Sequence, residues 1–240
     1  MTSRAEIWAF GPIAFAVDAR ARALHGKPAT LLALLAFYGG APVPTRLAAE
    51  AIWDRAALPP DPTRALRQVV RRLNPVLAEG GAAVVTTAAG LALDLPADAV
   101  DVLRFRSLLQ RRPLTQLDER DLRAALGSWT ADPFPELLDV PEVQVALDQL
   151  SRLRLDAVEA LYDIELQRPV SYPVVAELER MVRLHPERER LWQQLATALH
   201  RCSRRVEALR AIERCKRALT GMAPSPATLQ LEHELLLDIA

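Results

Sequence analysis

Cysteine, glycine and aromatic side chains are all scarce here: two cysteines, nine glycines and 5% aromatic residues in a chain of 240. Two cysteines cannot supply a disulfide framework. Cys202 and Cys215 both fall in helical patterns and read as small buried thiols of a reducing cytosol. An excess of charge of either sign is also missing, since 30 basic residues balance 30 acidic ones. That balance argues against a general polyanion binder. No apolar run reaches the roughly 18 residues that a membrane span needs, and no basic-then-apolar signal segment opens the chain. The expected setting is soluble and cytoplasmic, with no membrane partner. The four histidines, His25, His185, His200 and His233, are scattered, and neither cysteine stands at a metal-ligand interval from one. His200 lies near Cys202 but has no third partner, which reads as a helix end rather than a nucleophile pair. No glycine-rich loop precedes a Lys-Ser/Thr pair. No catalytic residue, metal or cofactor is therefore expected, and an enzyme is disfavoured.

What the chain has in quantity is Leu, Ala and Arg. Half of its residues are apolar and a quarter charged, ample material for a core and unlike a disordered segment. Leu, Ala and Arg lose little rotamer freedom in a helix, so the composition favours helices over strands. The length suits one large domain or two ordinary ones. The balanced charge is unevenly spread: residues 1–95 carry ten basic and seven acidic side chains, residues 96–240 twenty and twenty-three. A mildly basic front half permits a localised nucleic-acid face.

In the front half, Ile7 to Val17 is apolar and interrupted by Gly11-Pro12, which predicts short strands with a turn. Ala29 to Tyr38 is apolar almost all round, begins after Pro28 and stops at Gly39-Gly40; it predicts a central helix buried on most faces. A second helix starts beside Pro44 and Thr45 and closes on Trp53, and the stretch Ala57 to Pro62 is a rigid connection. A third helix, capped by Asp61 or Thr63, runs to about Glu79. Leu66, Val69, Val70, Leu73 and Leu77 form its apolar stripe. Arg64, Arg67 and Arg71 repeat at three and four residues on the other side, with Arg72 at the edge. One face in a small core and an arginine row opposite is what major-groove and phosphate contacts require, because Arg forks onto guanine or holds a phosphate through charge-assisted bonds. An ordinary charged solvent face would look similar, although no acid stands between Arg64 and Arg72. Asn74-Pro75 is expected to bend or shorten this helix. AVVTT and GLALDL then read as a half-buried hairpin. Strands, three helices and a closing hairpin give the order of a winged helix-turn-helix.

From Asp98 onward the pattern is helical throughout, with helices near Asp101–Gln110, Glu119–Trp129, Glu142–Gln167, Pro173–Leu184, Glu187–Leu199, Arg204–Leu219 and Pro226–Ile239. Trp192, Leu195, Ala196, Leu199, Ala208, Ile212 and Cys215 occupy the pattern positions of a tetratricopeptide repeat. Stepping back 34 residues gives Val158, Leu161, Tyr162, Glu165, Val174, Leu178 and Met181, a degenerate copy broken by Glu165. The fold class is mainly α: a winged helix-turn-helix with short β elements over residues 1–96 and an all-α, tetratricopeptide-like domain over residues 97–240. Stacked helix pairs leave a concave surface, open either to a protein partner or to the front domain.

With these blocks in order, the chain resembles the antibiotic regulatory proteins, whose members join an OmpR-type winged helix to a bacterial transcriptional activator domain. In front, LLALLAFYGGAPVPTRLAAEAIWDRAALPPDPTRALRQVVRRLNPVL carries the likeness, including the Ala-Ile-Trp that ends the second helix. Behind, it is carried by ALGSWTADPFPEL, HPERERLWQQLATALHRCSRRVEALRAIERCKRAL and PSPATLQLEHELL. The resemblance implies a sequence-specific regulator acting on the nucleoid, probing double-stranded DNA at direct repeats, often as side-by-side copies or a homodimer, and engaging RNA polymerase as an activator. By position it implies DNA contacts from Arg64, Arg67, Gln68, Arg71 and Arg72, and phosphate contacts from Thr45, Arg46, Thr86 and Thr87. The hairpin departs from many relatives in lacking basic residues and a Gly-Tyr pair, Gly90 being followed by Leu91. Fewer phosphate contacts imply weaker binding with a shallower salt dependence. The alternative is an interaction module whose winged helix is structural and whose helical repeats bind a partner or effector.

Overall fold

The computed structural model describes residues 4–53 and 57–237. It opens with an antiparallel meander of β1 (Ala5–Trp8), β2 (Ala14–Val17) and β3 (Arg20–Ala23). The β2–β3 turn places Asp18 and Ala19 at φ 49° and 65°, a left-handed pair whose twist suits a two-residue hairpin. Strand β3 was not foreseen. Its RARA sequence has no buried residue, so no apolar alternation betrays it.

Helix α1 (Lys27–Phe37) carries Pro28 in its first turn and buries Ala29 and every residue from Leu31 to Ala36, as its unbroken apolar composition predicts. Helices α2 (Thr45–Trp53) and α3 (Pro62–Ala78) pack against it and against each other. The Asp61 carboxylate caps α3 by accepting from the Arg64 N–H at 2.9 Å. Leu66, Val69, Leu73 and Leu77 are buried and Val70 half-buried. Pro75 does not shorten the helix, which runs on to Ala78. Proline there falls in the last turn, where one missing donor, opposite the Arg71 carbonyl, is tolerated. Asn74 clamps the next strand instead: its side-chain amide accepts from the Val84 N–H at 2.8 Å and donates to the Val84 carbonyl at 3.2 Å.

Strands β4 (Ala83–Thr87) and β5 (Gly90–Asp94) form the hairpin. Val43 and Leu91 exchange two backbone hydrogen bonds of 2.7 and 2.9 Å, so the chain entering α2 lies beside β5 as a one-residue strand. Gly90 makes that approach possible. A Cβ there would stand 2.0 Å from the Val43 oxygen and 2.6 Å from its carbonyl carbon, and φ is +139°.

The contacts divide the chain into two compact units, Met1–Arg154 and Leu155–Ala240. The first unit thus includes α4 (Asp101–Gln110), α5 (Glu119–Ser128) and the front of α6 (Pro141–Glu165). These segments grip the β1–β2 loop. The Asp101 carboxylate accepts from the N–H groups of Ala9 and Val102 at 2.9 and 2.7 Å, and more loosely from Phe10. Glu136 accepts from the Ile13 N–H at 2.7 Å, Gly11 donates to the Asp132 carbonyl, and Phe134 donates to that of Ala9. The Phe10 ring completes the junction, its centroid 4.9 Å from that of Trp129 and 5.7 Å from that of Phe105. Burial pushes the Asp101 carboxyl above its ordinary range, although its three backbone donors and Arg104 pull the other way.

The second unit holds the rear of α6 with α7 (Tyr172–Leu184), α8 (Glu189–Arg201), α9 (Arg205–Ala218) and α10 (Pro226–Leu237). The predicted end of the last helix, Asp238 and Ile239, lies outside the described residues. Every pattern position of the later repeat, from Trp192 to Cys215, is buried. In the earlier copy Tyr162, Leu178 and Met181 are buried, while Val158, Leu161, Glu165 and Val174 are half-buried, matching its degeneracy. Trp192 donates from its indole N–H to the Pro186 carbonyl at 3.0 Å. Arg188 joins the repeats by binding Asp156 and Glu159, which hold its guanidinium above the ordinary arginine range. Among the described residues no helix is long and apolar enough to cross a membrane, and no cluster of His, Cys, Asp and Glu forms a metal site.

Candidate nucleic-acid interface

Helix α3 turns its arginines to solvent because its other side is committed to the core. Arg64, Arg67, Gln68, Arg71 and Arg72 are all exposed, against buried Leu66, Val69 and Leu73. The first acid before the row is Asp61, occupied with the cap, and the next after it is Glu79. Among the described residues none of the four guanidiniums forms an ion pair. Four unneutralised cations on one helical face, three of them at i, i+3 and i+7, make a row suited to phosphate oxygens and base edges.

The flanking residues divide differently. Thr45 and Arg46 open α2, where Arg46 is bound to Glu50 at 2.7 Å. That carboxylate and its charge raise the Arg46 guanidinium further above its ordinary value. With Glu50, Leu58, Pro62 and Thr63 these two residues line an open depression of about 560 Å³ between α2 and the start of α3. In the hairpin, Thr86 and Thr87 are exposed. The Thr87 hydroxyl is occupied in closing the turn, donating to the Gly90 carbonyl at 3.1 Å and accepting from the Ala89 N–H at 3.2 Å. No Lys or Arg occurs from Ala83 to Leu93.

Arg20 and Arg22 on β3 were missed by sequence reasoning. Both are exposed, and with Val76 and Glu79 they border a depression at the C-terminal end of α3; Arg22 lies 3.5 Å from Glu79. The alternation Arg-Ala-Arg-Ala was the available signal, and it needed an apolar partner face to be recognised as a strand.

A winged helix-turn-helix with a bare arginine row, followed by stacked tetratricopeptide-like helix pairs, defines a class of bacterial transcriptional regulators. The sequence profile of the bacterial transcriptional activator domain matches residues 100–236. DnrI, a regulatory protein of Streptomyces peucetius, is 28% identical over 228 residues, covering 88% of this chain and 84% of DnrI. The transcriptional regulatory protein EmbR of Mycobacterium tuberculosis H37Rv is 30% identical over 226 residues, which are 88% of this chain but 57% of EmbR. The solved structure of M. tuberculosis EmbR in complex with a low-affinity phosphopeptide superposes with a TM-score of 0.83 at 25% identity, covering 98% of this chain and 66% of that one. The chain belongs to the AfsR-like antibiotic regulatory family of transcriptional regulators, defined by the bacterial transcriptional activator domain.

Proposed function

We propose that this regulator binds double-stranded DNA sequence-specifically by placing α3 in the major groove and activates transcription by engaging RNA polymerase. The unpaired row of Arg64, Arg67, Arg71 and Arg72 carries the reading. Gln68 lies within the row and supplies an amide for a base edge, adenine being its usual bidentate partner. Thr45 and Arg46 at the head of α2 and Thr86 in the hairpin are placed in this reading as backbone contacts. Thr87 contributes by holding the turn, since its hydroxyl is already engaged. Side-by-side binding to direct repeats, as a homodimer assembled on DNA, is part of the proposal.

An electrophoretic shift against fragments of the protein's own promoter tests it. Replacing Arg67 and Arg71 together by Ala should weaken binding and lower the slope of log K against log salt by about 2 if both touch phosphate. Loss of helical content in the double variant would be excluded by circular dichroism, because both side chains are exposed. No specific band at low salt, or an unchanged band with the double variant, would overturn the DNA reading. Transcription from the bound promoter with purified polymerase tests activation.

The cation-free hairpin favours a second reading, an interaction module whose winged helix is structural. It predicts no retarded band at any salt concentration and recovery of a protein partner through residues 155–237 alone.

A further inference from the structure

Helices α4 and the front of α6 face each other across a cavity of about 200 Å³, well away in sequence from the arginine row. Val102, Leu103, Arg106 and Gln110 line it from α4, and Ala146, Gln149, Leu150 and Leu153 from α6. The α6 residues recur at three, four and seven, one continuous helical face. Phe37 at the end of α1 and Phe134 complete the wall. The floor is therefore apolar and largely buried, with Leu103, Phe134 and Leu150 among the core residues.

Two further features set this cavity apart from a packing defect. Phe134 is held at φ 50°, a left-handed conformation disfavoured for a bulky side chain, and its ring meets that of Phe37 edge-on at 5.8 Å. At the mouth stand three exposed polar side chains, Arg106, Gln110 and Gln149. Arg106 forms no ion pair among the described residues. A mixed chamber, with Phe37, Leu103, Phe134 and Leu150 on one part of its wall and one unneutralised guanidinium and two amides on the rest, has the chemistry of a site for a small amphipathic anion.

We infer that this cavity is an effector site for a small monocarboxylate, whose apolar body lies among Phe37, Leu103, Phe134 and Leu150 and whose carboxylate pairs with Arg106. A cavity of about 150 Å³ accepts benzene, so a chamber of about 200 Å³ has room for a single aromatic ring against Phe37 and Phe134 with a short acidic arm toward Arg106. The occupant touches α1 of the winged helix together with α4 and α6, so its binding energy stabilises the whole first unit. The inference is independent of the DNA reading, because none of these residues lies on α3.

Calorimetric titration and thermal denaturation of the full chain with phenylacetate, and with the neutral 2-phenylethanol as control, test it. Phenylacetate should bind saturably, with a dissociation constant on the order of 1 mM or tighter for a ligand of about ten heavy atoms, and raise Tm. The alcohol should bind at least tenfold more weakly. Arg106→Ala, a change at an exposed position, should weaken phenylacetate about tenfold and leave the alcohol unchanged. Ala146→Leu should abolish both by filling the chamber. Absence of saturable phenylacetate binding, equal affinity for acid and alcohol, or binding unaltered by Arg106→Ala would each overturn the assignment. These readouts use no DNA, so failure of the effector site and failure of the DNA reading are separately visible.

Discussion

Replacing Gly90 by Ala should be among the most damaging single changes in the front unit. The new methyl carbon would sit 2.0 Å from the Val43 oxygen and 3.0 Å from the Pro44 Cα, and all the nearby atoms belong to backbone that cannot rotate away. Relief requires the hairpin to part from residue 43, breaking the pair of hydrogen bonds between Val43 and Leu91. Two such bonds contribute about 0.5–1.5 kcal/mol each, and an alanine at φ +139° adds strain of about 1–3 kcal/mol. The expected loss is therefore about 2–6 kcal/mol, a large part of the stability of an ordinary domain. Gly81→Ala is the internal control. Gly81 also has positive φ, at +74°, but an added Cβ meets nothing within 4 Å, so its cost should stay at about 1 kcal/mol. Urea denaturation followed by circular dichroism compares the two. Equal midpoints would refute the argument that close approach to residue 43, rather than backbone conformation alone, demands glycine.

Asn74→Ala should cost about 2–3 kcal/mol by leaving both backbone groups of Val84 without their partner; Asn74→Asp should also destabilise, since a carboxylate cannot donate to the Val84 carbonyl, and urea melts decide both. In the rear unit, burial opposes ionisation of Glu189, but hydrogen bonds from the Thr228 hydroxyl and from Ser225 together hold its carboxyl below the ordinary range. Its contribution is thus present above the unfolded value and lost as pH falls through the lowered native one, so Glu189→Gln should flatten the acid limb of a stability–pH profile. Asp101 has the opposite sign: its raised value favours the fold at low pH and withdraws that support as pH rises through the native value, so it is not a source of acid lability. Burial first, and then the Glu189 charge, push the Cys215 thiol up to about 11, so a thiol reagent at neutral pH should label the half-buried Cys202 first and reach Cys215 only on unfolding.

The features legible in the sequence are those written into neighbouring residues. The apolar run of α1, the stripe and arginine row of α3, and the large-and-small alternation from Trp192 to Cys215 all recur at helical spacing, and the folded chain buries or exposes them as that spacing implies. What escaped depends on groups far apart in the chain. Asp101 serves the N–H of Ala9 and Glu136 that of Ile13, separations of 92 and 123 residues that no local period encodes. The clamp made by Asn74 escaped because the rule for Asn-Pro speaks of the helix it sits in, whereas its side chain answers to a strand ten residues on. The candidate interface was legible on α3 for the same local reason. The engaged hydroxyl of Thr87 and the cations of β3 became visible only once strands were paired.

The grip of Asp101, Glu136 and Trp129 on the β1–β2 loop bears on how such regulators can be recombined. A gene cut at codon 96 would strip Phe10 of its aromatic neighbours and leave the amides of Ala9 and Ile13 to water. A transplanted winged helix therefore needs its own copy of residues 97–154 to stay folded, and exchange between family members should succeed where the crossover falls beyond that segment.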